Sequence, residues 1–383
     1  MLRFFSLISK NAMRNRRRSI LTICSVGASL CLLGVLMAIY HAFFFTPPTP
    51  EQERRLWTRN RISLANIMPI AYRDKIRRVP GVQDTMVMQW FGGVYKEPKN
   101  MFSRFGVEPE RYLRIMPEYK LTPEEQKAFV SERTACIIGK DIAAKYNLKH
   151  GDHMILDGDI FPVRLDFVVR GIYDFPTDNE SMFFHLQYLF ESMPPRARDI
   201  AGMFVSLIDD PANSSRISKD IDETFRNSSD QTRTETEKAF QLSFVSMLGN
   251  VKVFLMSVCA AVTFTIILVS ANTMAMSVRE RIREVGVLKT LGFTQGEILG
   301  IVLGEAAVLS FIGGLLGYGL AMGLANIIRQ APGFFAEFKT LTIVPPVAVL
   351  LLVTAVLIGI VSSFVPAWHA SRTNIIDSLR YSG

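Results

Sequence analysis

The sequence predicts a polytopic α-helical membrane protein: four transmembrane helices, with a large α+β extracytoplasmic domain between the first and the second. Three observations predict it. The 383 residues hold four apolar runs, at 20–45, 250–276, 299–327 and 346–368, each near or above the ~20 residues needed to cross a bilayer. Between the first two lies 46–249, a polar stretch long enough to bury a core of its own. Arg3, Lys10, Arg14, Arg16, Arg17 and Arg18 gather before the first run with no acid among them, and basic residues beside a span mark its cytoplasmic side.

The segment 1–19 sets Phe4, Phe5 and Ile8 against Arg3, Lys10 and Arg14, the pattern of a helix lying on the inner membrane face. A basic cluster standing alone also suits nucleic acid. Directly ahead of a span it reads as a topological anchor, so no nucleic-acid partner is expected. The run 20–45 exceeds the ~7–15-residue core of a cleaved leader and lacks a small-x-small site. It therefore reads as a retained anchor that sends the next domain outside. Pro47, Pro48 and Pro50 stop its helix. Of the four cysteines, only Cys136 falls in the polar domain, so that domain builds no internal disulfide.

Within 46–249 helix and strand patterns alternate. A helix pattern covers 72–78, and Pro80-Gly81 is a turn. Residues 84–94 are strand-like. Thr122-Pro123-Glu124-Glu125 opens a helix: Thr122 can cap it, Pro123 suits its first position, and the acids complement its dipole. A second helix pattern, 139–148, leads into a turn at Gly151-Asp152, followed by strands near 153–156, 161–170 and 203–208. The domain closes with a helix at 214–225 and a stalk-like helix at 237–248 that leads into the second span. His150, Asp152, His153, Asp157 and Asp159 have ligand chemistry, but their spacing fits no zinc or calcium template. A turn and a hairpin account for them, and no metal site is expected.

The link 277–298 is short and polar. Its apolar residues Ile282, Val285 and Leu288, with Leu291 or Gly292 beyond, recur at three- and four-residue steps, one face of an amphipathic helix. Arg279, Glu280, Arg281, Arg283, Glu284 and Lys289 charge the rest, and the basic residues place the link in the cytoplasm. Such a helix can dock on a soluble partner or lie on lipid, and the spacing leaves both open. In the next span Gly313/Gly317 and Gly319/Gly323 stand four apart, which allows close helix packing in lipid. A dimer interface and packing within the chain fit that spacing equally. Glu305 is the sharpest polar feature inside a span. A carboxylate there is costly and faces protein or water, and a bond to a neighbouring helix is the plainer role. The 383 residues contain no GxxxxGK(S/T) phosphate loop and no catalytic constellation that can be singled out. The chain is expected to be no enzyme and to bind no cofactor of its own.

Glu280, Arg281, Arg283, Glu284, Val285, Gly286, Leu288, Lys289, Leu291, Gly292, Ile298 and Glu305 stand where the FtsX-like, macrolide-exporter (MacB)-type ABC permeases carry "ERxREIGxLKxLG" and the following "xIxxxxxxE". Val285 replaces the commoner isoleucine. The chain resembles that family, in which this helix is the coupling helix. The tail "PAWHASRTNIIDSLR" is similar to the family's "PAxxAxRxxPxxALR", with Asn374 near the usual proline and Ser378 for the usual alanine. "GKDIAAKYNLKHGD" and "VVRGIYD" resemble its external domain more loosely, which implies an inserted subdomain at about 95–195. The resemblance implies a permease subunit working by mechanotransmission in the bacterial inner membrane. ATP and Mg would be held by a separate ATPase subunit, and the partners it implies are a second permease copy or paralogue, membrane lipid and a periplasmic adaptor. Two outputs stay open: export or extraction of a lipid, lipoprotein, drug or peptide, and a signalling or scaffold role that switches a periplasmic enzyme.

Overall fold

The computed structural model describes residues 16–100, 102–175, 178–195, 198–247, 249–330 and 341–373. The amphipathic start, most of the loop before the fourth span and the end of the tail lie outside them. In order, the chain forms α1 (Arg16–Phe44), α2 (Pro50–Glu53), β1 (Arg55–Asn60), β2 (Met68–Pro69), α3 (Tyr72–Ile76), β3 (Val82–Trp90), β4 (Ser103–Val107), α4 (Pro109–Ile115), α5 (Pro123–Ser131), β5 (Ala135–Gly139) and α6 (Lys140–Tyr146). Then come β6 (His153–Asp157), β7 (Arg164–Tyr173), β8 (Ser181–His185), α7 (Leu186–Ser192), β9 (Ile200–Ala201), β10 (Met203–Ile208), α8 (Ser214–Thr224), β11 (Thr232–Thr236) and α9 (Glu237–Met247). The last four helices are α10 (Val251–Glu280), α11 (Ile282–Thr290), α12 (Gln295–Gln330) and α13 (Pro345–Arg372). The chain divides into two units, Pro47–Gly249 and the rest.

The first unit is a mixed α/β domain on a nine-stranded sheet of order β11-β1-β10-β3-β4-β8-β5-β7-β6. Among the described residues only β4–β8 and β5–β7 run parallel. Strand side chains alternate between two cores. Val87, Phe184 and Phe204 face one; Met86, Met88, Phe183 and Val205 face the other. Ile76, Ile142, Leu189, Ile217 and Ile221, from α3, α6, α7 and α8, close the first core. Tyr112 and Ile115 of α4, Phe129 of α5 and Phe240 of α9 close the second. The stretch 95–195 supplies the adjacent strands β4 to β8 of this same sheet. Thr122 and Glu125 form a reciprocal capping box at α5: Thr122 N donates to Glu125 Oε2 at 2.7 Å, and Glu125 N donates to Thr122 Oγ1 at 3.3 Å. Gly151 has φ +90°, which glycine adopts without strain, and Lys149 N donates to Asp152 Oδ2 at 2.8 Å. His150 pairs with Glu125 and His153 with Asp166; among the described residues no three ligand-type side chains gather.

In the second unit α1, α10, α12 and α13 are, among the described residues, the four helices long and apolar enough to span a membrane. They outrun the apolar runs at several ends, because polar turns such as 278–280 continue the helix. α12 packs along α1 and α13, and α10 packs on α13 and α1. The α1–α12 contact is close because it is made of glycine. A Cβ on Gly317 would lie 2.7 Å from the Gly27 carbonyl, and one on Gly313 would lie 2.9 Å from Val26 Cγ1. Gly319 and Gly323 have nothing within 4 Å of that position. Ser362 Oγ donates to Ser270 Oγ at 2.9 Å, joining α13 to α10.

Candidate functional site

The segment between α10 and α12 is built from its ends inward. Arg281 alone separates α10 from α11, with φ −109° and ψ 14°, in the sparsely used bridge region. Its N–H closes α10 on the Val278 carbonyl at 3.1 Å, and its own carbonyl accepts Val285 N at 3.1 Å. At the other end Gly292 N donates to Lys289 O and Phe293 N to Leu288 O, both at 3.1 Å. That is a Schellman stop, and it needs the left-handed residue that Gly292 supplies at φ +92°. Two residues on, Thr294 and Glu297 cap each other: Thr294 N donates to Glu297 Oε2 at 2.8 Å, and Glu297 N to Thr294 Oγ1 at 3.3 Å. The expected helix over 277–298 is therefore three pieces. The end of α10 and the start of α12 flank a nine-residue α11.

The faces of α11 differ. Val285 and Gly286 are buried, and Lys289 Nζ donates to the Thr373 carbonyl just past α13. Val287 is 48% exposed and Leu291 71%, and Arg279, Glu280 and Arg283 are exposed around them. The periodic apolar set is thus split: Val285 turns in, Leu288 lines a cavity, and Leu291, past the last helical residue, faces out. Val287 carried no signal in the pattern.

Arg281 Nε donates to Glu284 Oε2 at 2.9 Å, and its NH1 donates to Glu305 Oε2 of α12 at 2.5 Å. The Glu305 side chain is only 7% exposed. Burial works against the Arg281 charge, but Glu305 and Glu284 outweigh it and the net shift is upward. Beside these groups a cavity of about 290 Å³ is lined by Met274, Ser277, Val285, Leu288 and Ile301, with Arg281 and Glu305 on its wall. The structure thus joins two sequence candidates, Arg281 and Glu305, that lie 24 positions apart. Their pairing, like the Lys289–Thr373 bond, has no signature in local sequence.

This helix–turn–helix lies in the region 255–375, which matches the family described as FtsX-like permease C-terminal. Residues 255–375 are thus similar to an FtsX-like permease domain. It is 25% identical over 396 residues to the "Uncharacterized ABC transporter permease MJ1507" of Methanocaldococcus jannaschii, covering 97% of this chain and 96% of that one. It is 36% identical over 108 residues to the macrolide export ATP-binding/permease protein MacB of Chromobacterium violaceum, which covers 28% of this chain but 16% of MacB. It is 30% identical over 154 residues to the "Uncharacterized ABC transporter permease YknZ" of Bacillus subtilis, covering 38% of each. The chain thus spans well under half of those two relatives. Half of it also superposes on the periplasmic region of MacB from Actinobacillus actinomycetemcomitans, at 11% identity and TM-score 0.36, a likeness too loose to argue from. Among the described residues four helices are long and apolar enough to cross a membrane, which fits a multi-pass membrane protein, and the chain is similar to ABC transporter permeases.

Proposed function

We propose that the chain is the non-catalytic membrane subunit of an ABC transporter, and that α11 is the element on which a separate ATPase subunit docks. ATP and Mg bind that partner, since this sequence holds no phosphate loop. The ATPase side is the cytoplasm, where the Arg/Lys-rich link belongs, and the α/β domain lies outside. ATP-driven displacement of α11 moves the spans as levers and, through them, the α/β domain. The cargo is a hydrophobic or periplasmic molecule: a lipid, lipoprotein, drug or peptide. A second permease copy completes the assembly.

The observation that carries this reading is how α11 is held. Its inner side is occupied by its own chain at Val285 and Gly286. Its outer side carries exposed Arg283 and Val287, the latter also lining the cavity, with exposed Arg279 and Glu280 ending α10 before it and exposed Leu291 just past its last residue. A helix resting on lipid needs one apolar face turned to the acyl chains. A mixed face on a helix fixed at both ends suits a protein groove, where anchors sit among charges. The test is affinity purification through a tag on this chain, native against Val287→Asp/Leu291→Asp. An ABC ATPase should co-purify with the native chain and be lost from the variant while the variant's melting stays native. A native chain that brings down no ATPase from nanodiscs, or a variant that retains it in full, overturns the assignment of α11.

A further inference from the structure

This inference rests on the reading of α11 as the ATPase contact. We propose that Arg281 and Glu305 are the transmission pair of the permease: positioning residues that carry a displacement of α11 into α12.

The backbone supplies a hinge. Arg281 is the single residue between two helices, so α11 can tilt against α10 through the dihedrals of one residue. The side chain of that same residue supplies the link. It holds Glu284, on the helix that moves, and Glu305, on the helix that must follow. Glu305 is buried, and a buried carboxylate holds its charge only against a partner, so the pair resists separation far more than an exposed one does.

The packing says why a link is needed here. α12 is gripped along its length by α1 and α13, and α10 packs on α13 and α1. α10 and α12 meet through Met274, Ala306 and Leu309. Next to that contact, toward α11, lies the cavity of about 290 Å³. A cavity beside a hinge leaves room for α11 to swing without moving its neighbours. The Arg281–Glu305 bridge on the cavity wall converts that swing into a pull on α12. Close-packed surfaces would transmit motion without a dedicated pair; a cavity does not.

The experiment uses the full complex with its ATPase in nanodiscs. Hydrogen exchange across α12 is compared with and without ATP plus vanadate, and ATP hydrolysis and ATPase stoichiometry are measured on the same samples. Native protein should show a nucleotide-dependent exchange change in α12. Glu305→Gln should keep the bound ATPase and its hydrolysis but lose that change. Glu305→Arg alone should lose it too, and Arg281→Glu/Glu284→Gln/Glu305→Arg, which restores the pair with reversed charges and removes the neighbouring Glu284 carboxylate that would oppose it, should regain it. Rescue by the swap is what a merely structural role for Glu305 would not give. Should Glu305→Gln fail to fold, Glu305→Asp, with the charge withdrawn by one methylene, should show a partial loss. Native-size exchange changes in Glu305→Gln overturn the proposal. So does loss of the ATPase from a folded Glu305→Gln, because the pair would then serve docking. Absence of ATPase from the native sample is read before any variant and fails the docking assignment itself, taking the pair with it.

Discussion

Arg55 Nε donates to Glu237 Oε2 at 2.5 Å and thereby ties the first strand of the α/β domain to its last helix. The guanidinium is almost wholly buried, and a second carboxylate, Glu118, takes its NH1 at 2.5 Å. Trp57 Nε1 also donates to Glu237, at 3.4 Å. Breaking a buried pair strands a charge, which costs about 3–5 kcal/mol. Glu237→Ala should therefore lower the melting temperature of the α/β domain by on the order of 10 °C. Thermal unfolding of the purified chain, followed by tryptophan fluorescence, measures it. Burial raises the pKa of Glu118 despite Arg55 beside it, which makes it the weaker partner, so Glu118→Ala should cost less. Equal costs would count against Glu237 as the main counter-ion.

His185 sets a pH limit on the same domain. Its ring is buried, with Nε2 2.5 Å from the Phe129 carbonyl, and burial, helped by Arg133, lowers its pKa below the ordinary 6.5. The unfolded chain then binds a proton more readily than the folded one. Stability is full above pH 6.5 and falls as the pH drops from there toward the folded value. His185→Gln keeps an N–H for the Phe129 carbonyl and removes the titration. Melting temperatures from pH 7.5 down to 5 should fall less steeply for the variant than for native protein. Parallel curves would sink this account.

The fold class was legible because span length is a hard physical requirement, and four runs meet it. The start of α5 was legible for a local reason: Thr122 and Glu125 act on backbone groups within a few residues of themselves. The breaks at Arg281 and Gly292 that bound α11 were not read, because the apolar spacing runs on across them. What else stayed hidden was non-local. The parallel pairing of β4 with β8 joins residues 103–107 to 181–185, and no short-range pattern encodes it. A sheet buried on both faces also blurs strand periodicity, since β5 and β8 are buried at every position. Arg55 lay in a stretch that gave no recognisable pattern, and its partners are 63 and 182 positions away. In the candidate site, apolar spacing grouped Leu288 with Leu291. The Gly292 stop cuts the helix between them, and one lines a cavity while the other faces out.

Two glycine pairs with the same spacing meet different surroundings, and that difference can be measured. A methyl added at Gly317 would press on the Gly27 carbonyl at 2.7 Å and on Leu30 Cβ at 2.9 Å. The first of these is backbone, so relief requires α1 and α12 to separate. Overpacking of this kind costs about 1–3 kcal/mol. At Gly323 the same methyl would meet nothing within 4 Å, and alanine is the better helix former. Gly317→Ala should therefore lower the melting temperature of the membrane helices in detergent, and Gly323→Ala should leave it unchanged or raise it slightly. Spacing alone cannot separate the two, because both pairs offer a flat helix face. What separates them is that α1 brings a glycine of its own, Gly27, to meet the Gly313/Gly317 pair. If both variants lose stability alike, the second pair is also packed in the working protein, against a surface that lies outside the described residues.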